Sequence, residues 1–243
     1  MRDELPIVFR DEHLVAVNKP SGLLVHRTAL DRHETRFAVQ ILRDQTGRRV
    51  YPAHRLDRGT SGVLLFAFDA ALCARLAAQF ENRQVEKTYL AVVRGHPEEC
   101  GVIDHPLTRQ FDDYEFRTDA PDTAQDAVTR YRRLALAELP YPVDRYPTSR
   151  YALLELAPET GRRHQIRRHL KHIAHPIIGD ATYGKGRHNR LFGELFGCRR
   201  MLLACTALRL THPVNGEPLR LEAPLQDDFA DVLAKLGWDA CAR

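Results

Sequence analysis

No stretch of this chain is apolar for the roughly 18 residues that a membrane-spanning helix needs. The longest such run, Val63 to Phe68, has only the length of a strand. The N-terminus reads Met-Arg-Asp-Glu-Leu-Pro and lacks the apolar segment of a secretory signal. A cytoplasmic protein without a membrane partner is therefore expected. Cysteine is sparse and badly spaced for bridging. Cys73, Cys100, Cys198, Cys205 and Cys241 are odd in number, and no C-x-x-C pair occurs. That excludes a disulfide framework and a zinc ribbon and fits free thiols in a reducing compartment. Glycine and proline, 14 each, are too few for a collagen-like or linker-dominated chain. The glycine fingerprint of dinucleotide binding and the phosphate-binding P-loop are both missing. There is no internal repeat.

What is present describes an ordinary globular chain of 243 residues, 44% hydrophobic and 28% charged. That length suits one large domain or two small ones and can bury a core without staples. Net charge is a modest +4, but it is unevenly placed. Residues 161–200 hold ten Lys or Arg against two acids, so the rest of the chain sums to −4. Such a basic block favours a polyanionic partner, because every neutralised phosphate releases counterions. The preference for Arg over Lys, 31 to 5, is first a matter of base composition.

Apolar patterning predicts strands at Ile7 to Phe9, Leu14 to Lys19, Val63 to Phe68, Tyr89 to Val93, Val128 to Leu134, Tyr151 to Leu156 and Leu202 to Thr211. Helical spacing covers Phe37, Ile41 and Leu42; Leu72, Leu76 and Phe80; Arg162 to Ile173; and Asp227 to Gly237. Residues 183–197 read as loop plus a short helix, and 109–127 as an acidic, exposed excursion. Strands and helices mix without a regular βαβ rhythm. The expected fold class is α+β, a mainly antiparallel mixed sheet with flanking helices and loops.

Three stretches carry chemistry. His54-Arg55-Leu56-Asp57-Arg58-Gly59-Thr60-Ser61-Gly62 sets a carboxylate between two arginines just before a buried strand. Taken alone, it also suits a turn whose Asp accepts backbone hydrogen bonds. Thr160-Gly161-Arg162-Arg163-His164-Gln165-Ile166-Arg167-Arg168-His169 is a strongly basic segment. Thr160 and Gly161 are expected to open its helix, with Arg163 and Arg167 on one face. It suits a solvated surface, a partner for Asp57, or a phosphate contact. Lys87-Thr88-Tyr89 places a tyrosine in a strand, where packing is its commonest role.

Together these residues resemble the RluA-type pseudouridine synthases. His54-Arg55-Leu56-Asp57 with Thr60-Ser61-Gly62 is similar to that family's signature. Asn18-Lys19-Pro20-Ser21-Gly22, Lys87-Thr88-Tyr89, and Gly161-Arg162 with His164 to Arg167 resemble its other motifs. His175-Pro176-Ile177 with Gly179-Asp180 and Tyr183-Gly184 resembles the segment that follows. The matches keep family order over about residues 7–213. The resemblance implies one catalytic domain over residues 1–243, with no separate N-terminal RNA-binding domain. Within the family, the chain resembles the branch acting on uridine 65 of tRNA, on the strength of Arg145 to Thr148, His188-Asn189-Arg190 and Leu236-Gly237-Trp238. Ribosomal RNA is the alternative substrate.

The resemblance implies Asp57 as the catalytic aspartate, Tyr89 stacked on the target base, and Arg167 paired with Asp57. It places Arg55 in the gap left by the flipped uridine. Lys19, Arg58, Arg163, His164, Arg168, Arg199 and Arg200 are expected to contact RNA. No cofactor, no metal and no protein partner is implied, and a monomer is expected. Asp57 would either add to C1′ or take the 2′ proton, and the residues do not choose between these. A neighbouring guanidinium favours an ionised carboxylate for either role. None of the recognised motifs puts a second carboxylate beside Asp57, which suits isomerisation better than hydrolysis. His164, His169, His172 and His175 raise a metal site, which Arg167, Arg168 and Lys171 disfavour by repulsion. A non-catalytic RNA-binding protein is the remaining reading; joint retention of Asp57, Tyr89 and Arg167 argues against it.

Overall fold

The computed structural model describes residues 4–26, 35–109 and 123–242. Most of the expected acidic excursion therefore lies outside the described residues. The N-terminal half runs β1 (Ile7–Arg10), β2 (Leu14–Lys19), α1 (Ala38–Thr46), β3 (Tyr51–Pro52), β4 (Ser61–Ala67) and α2 (Ala70–Glu81). Then come β5 (Glu86–Arg94), β6 (Cys100–Asp104), the short pair β7 (Leu107–Thr108) and β8 (Ala124–Gln125), β9 (Val128–Leu139) and β10 (Ser149–Pro158). The chain closes with α3 (Gln165–His172), α4 (Gly186–Phe196), β11 (Leu203–Thr211), β12 (Pro218–Glu222) and α5 (Asp227–Lys235). Ten strands form one sheet in the order β1-β2-β4-β11-β5-β10-β9-β6, with β12 beside β11 and β3 beside β4.

The α+β, mainly antiparallel architecture is the expected one. Among the described strands only β4 and β11 pair in parallel, through Ala204 with Ser61 and Cys205 with Gly62. That seam joins the two halves of the sheet directly after the Asp57 loop. Gly62 has φ +108, and a Cβ there would collide with the Cys205 carbonyl. Only glycine allows the backbones to approach so closely at that angle.

Both faces of the central strands are covered. Along β10, Tyr151 and Leu153 pack beneath α4 and α5. Ala152, Leu154 and Leu156 pack beneath α3 on the other face. A third cluster joins β2 and β4 to α1 and α2. Burial on two faces explains why these strands read as unbroken apolar runs. At the start of α2, Asp69 Oδ1 accepts from the Ala71 and Leu72 amides at 2.8 and 3.1 Å, a side-chain N-cap.

Several elements differ from expectation. The basic helix opens at Gln165 rather than at Thr160-Gly161, because His164 adopts the left-handed conformation at φ 55. Gln165 replaces the missing turn. Its Oε1 accepts from Thr160 Oγ1 and the Arg162 amide, and its Nε2 donates to Val128 O. Arg163 consequently precedes the helix and does not share a helical face with Arg167. Residues 183–197, read as loop plus short helix, contain the full α4 despite two glycines. His188 and Phe192, one turn apart, both pack on the Tyr151 ring, and this apolar contact outweighs glycine's low propensity. Strands β6 and β12 were not foreseen. Each carries one buried side chain, Ile103 and Leu221, too weak a period to read.

Candidate active site

The Asp57 loop is clamped from beneath. Leu56 is buried, and the Thr60 amide donates to Asp57 O at 3.0 Å. His54 stacks on Phe80 at 4.8 Å and accepts from the Leu65 amide through Nε2 at 3.1 Å. Burial drives its pKa down to about 4. It is a neutral strut, with its proton on Nδ1.

Two residues expected to touch RNA serve this clamp instead. Lys19 is fully buried. Its Nζ donates to Pro20 O, Leu23 O and Arg58 O at 2.9, 2.8 and 3.3 Å, tying the loop after β2 to the Asp57 loop. Burial and the Arg200 charge lower its pKa to about 7 against the opposing pull of Asp57. An ammonium spent on three buried carbonyls does not reach a surface phosphate. Arg200 is likewise held inward. It donates to Ser61 Oγ at 2.6 Å, Gln226 Oε1 at 2.7 Å and Met201 O at 3.1 Å, and pairs with Asp228 at 3.2 Å. Arg200→Met should therefore cost roughly 1–3 kcal/mol of stability, since it takes the guanidinium from the buried Ser61 hydroxyl and leaves the Gln226 amide oxygen with the Ser21 amide alone. Denaturant unfolding measures this, and the salt dependence of RNA binding should stay unchanged.

Above the clamp, Asp57 faces the basic helix. Arg167 Nη1 donates to Asp57 Oδ2 at 3.0 Å. The same guanidinium forks onto Asp180, with Nε to Oδ2 at 2.7 Å and Nη2 to Oδ1 at 2.9 Å. Asp180 is wholly buried and also accepts from the Thr182 and Tyr183 amides at 2.9 and 3.0 Å. Burial alone would raise its pKa, but the Arg167 hydrogen bond and these amides hold it low. Burial also works against the charge on Arg167, but Asp180 and Asp57 outweigh it and raise the guanidinium's pKa. The result is a rigid chain, Asp180–Arg167–Asp57, with one carboxylate buried and the other opening on the cleft. Tyr183 backs it. Its ring lies 5.0 Å from the Arg167 guanidinium, and its hydroxyl meets His164 Nδ1 at 3.1 Å. His164 Nε2 lies 3.9 Å from Asp57 Oδ2.

Asp57, Tyr89 and Arg167 thus converge on one cleft of about 650 Å³. Tyr89 lies opposite Cys205 across the β5–β11 ladder. Burial, with the neighbouring Cys205 and Asp57, pushes the phenol well above its usual value, so it stays protonated. Arg55, Arg163, His164 and Arg168 also line the cleft. Arg58 and Arg199 are exposed outside it. Eight Lys or Arg line the cleft against two carboxylates, Asp57 and Glu81. Asp180 does not open on it, and the second lining carboxylate, Glu81, is exposed.

Sequence reasoning missed the part played by Asp180. It stood in a quoted motif with no role, and nothing local signals that it turns back onto Arg167. Gln165 and Lys19 were missed as struts for the same reason. The histidines raised as metal ligands have other partners. His169 meets Thr129 Oγ1 and His105 O at 2.9 and 3.1 Å, and His175 meets Arg94 O at 2.9 Å. Among the described residues no cluster of His, Cys, Asp or Glu could hold a metal.

Residues 13–172 match the RNA pseudouridylate synthase family. The chain is 52% identical over 235 residues to a tRNA pseudouridine synthase C of Pectobacterium carotovorum, covering 96% of this chain and 62% of that relative's length. It is 49% identical to a tRNA pseudouridine synthase C of Vibrio cholerae, covering 96% of both chains. Among solved structures, Human RNA Pseudouridylate Synthase Domain Containing 4 superposes with a TM-score of 0.72 at 29% identity, covering 96% of this chain and 93% of that one.

Proposed function

The chain belongs to the RNA pseudouridylate synthase family, and we propose that it isomerises uridine to pseudouridine at position 65 of tRNA, with Asp57 acting on the ribose. The single observation that carries the chemistry is the Asp180–Arg167–Asp57 chain at the floor of a basic cleft. The tRNA substrate is supported by the names of the curated relatives.

The reaction breaks N1–C1′, turns the uracil and joins C5 to C1′. The C5 proton is lost and N1 gains one, so atoms balance without oxidant, reductant or metal. The uridine must first leave the stack, at a cost of a few kcal/mol. Arg55, exposed at the cleft, fills the space it vacates and meets nearby phosphates. Asp57 then adds to C1′ or removes the 2′ proton; both routes use its carboxylate. Arg167 orients that carboxylate and holds it against the cleft's hydrophobic floor, where an unpaired charge would be costly. Tyr89, kept neutral by burial, offers a flat face for the detached base. Closure of the basic walls around the base keeps it from escaping while it turns.

The test is chemical mapping. Purified protein is incubated with unmodified tRNA and with ribosomal RNA, and pseudouridine is located by primer extension after carbodiimide treatment. A new stop at uridine 65 of tRNA is the expected result. A stop only in ribosomal RNA would move the substrate and keep the chemistry. No pseudouridine in either RNA, from folded protein that binds RNA, would overturn the proposal.

A further inference from the structure

The cleft has two walls. One is the basic segment ending in α3, which supplies Arg162, Arg163, Arg167 and Arg168. The facing wall is made by the C-terminal end of α2 and the start of β5, and it carries Arg83 and Lys87. Arg83 stands in no quoted motif, and Lys87 opens Lys87-Thr88-Tyr89 with no role of its own there. Lys87 precedes Tyr89 by two residues on one strand, so both side chains leave the same face of β5, roughly 7 Å apart. Arg83 sits in the turn that ends α2, at φ 58 in the left-handed region, with its amide on Phe80 O at 3.2 Å. Left-handed backbone is uncommon outside glycine and here aims the residue into the cleft wall.

This wall sets two cations side by side, Lys87 half-buried in the cleft and Arg83 exposed at its lip. Burial, the largest influence, lowers the Lys87 pKa. Arg83 lowers it further, and Cys205 pulls the other way. The neutral His54 also faces Lys87. The carbonyls at the C-terminus of α2 favour cations nearby, which lets the two charges stand together. Among the described residues Glu81 is the only carboxylate on this wall. It is exposed at the lip, where solvent screens it. Two cations against one carboxylate leave this wall with an excess of positive charge that an anion would relieve.

A flipped nucleotide is tethered on both sides. Its strand enters the cleft through one phosphodiester and leaves through another, and the basic helix borders one side only. We propose that Arg83 and Lys87 form a phosphate subsite that grips the linkage on the other side of the target uridine. This rests on the assignment of an RNA pseudouridine synthase above. The subsite would hold the backbone taut while the base turns, and would supply affinity independent of sequence.

The test measures RNA binding by the full chain in an Asp57→Asn background, so that the bound RNA stays unreacted. Arg83→Gln and Lys87→Met should each weaken tRNA binding about tenfold, the scale of a charged hydrogen bond. Each should flatten the slope of log K against log salt by about 0.7–1, one phosphate's worth. Arg75→Gln, which removes equal charge outside the cleft, is the reference. Lys87→Arg keeps the charge and should keep the slope, which separates charge from folding. In a short stem-loop substrate, an uncharged methylphosphonate at one linkage adjoining the target uridine should erase the difference between the parent protein and the variants. Variants that bind with the affinity and slope of Arg75→Gln would overturn the subsite, as would equal sensitivity to a methylphosphonate placed anywhere. Pseudouridine formation by the unsubstituted protein is scored separately. Its absence would defeat the assignment of function, and its presence with unaffected variants would defeat the subsite alone.

Discussion

Asp57→Asn should abolish pseudouridine formation, with single-turnover rates falling by at least about 10⁴, the scale seen when a group acting directly on the reacting atoms is removed. Affinity for tRNA should hold or rise slightly, because the change removes a negative charge from a cleft in which basic residues outnumber acids. The fold should barely notice. Asparagine keeps the shape, Asp57 is partly open to solvent, and Arg167 retains its fork on Asp180. A stability change below about 1 kcal/mol is expected, since the pair lost is a partly exposed one. Rate and affinity therefore separate in this variant. Turnover near that of the parent protein would show that the carboxylate is not the reacting group and would reopen the reading of an RNA-binding protein without chemistry. A loss of affinity equal to the loss of rate would show that Asp57 holds RNA and does not transform it.

Local features made much of the fold legible. The strand Val63 to Phe68 reads as one apolar run because both its faces are covered, and Leu72, Leu76 and Phe80 at helical spacing announce α2. The site residues could be named because they cluster in short motifs. Their division of labour could not be read there. Lys19, Arg200 and Arg167 are all cations, yet the first two face inward and only the third borders the cleft. What separates them is the tertiary partner: three backbone carbonyls for Lys19, Ser61 and Gln226 for Arg200, two carboxylates for Arg167. Charge alone predicts RNA contact for every one of them. The start of the basic helix failed for a related reason. Gln165 supplies side-chain bonds that let the backbone turn left-handed at His164, and such a substitute is invisible to helical periodicity.

Asp180 marks the point at which structure changes an expected result. From the pairing with Asp57 alone, Arg167→Ala would be a purely catalytic lesion. With Asp180 behind it, the same change strands a buried carboxylate that keeps only the Thr182 and Tyr183 amides. Breaking one partner of a buried pair costs about 3–5 kcal/mol. For a chain of this size that is a fall in Tm of roughly 6–20 °C. Catalysis should fall as well, by about 10²–10³, because Asp57 loses the donor that orients it. The two losses have different remedies. Without Arg167, burial is opposed only by the two amides, and the Asp180 pKa moves up from its value in the parent protein. The folded variant then takes up a proton at a pH where the folded parent does not, so the stability deficit is full at neutral pH and shrinks as pH falls through that raised value. Adding Asp180→Asn removes the stranded charge while keeping an acceptor for the two amides. The double variant should recover about half of the lost stability and none of the lost rate. Thermal melts at two pH values, alongside single-turnover rates, separate these outcomes. Strictly additive destabilisation in the double variant would mean that Asp180 is not the charge Arg167 neutralises. Recovery of rate together with stability would mean that Arg167 acts only through the fold and does not orient Asp57.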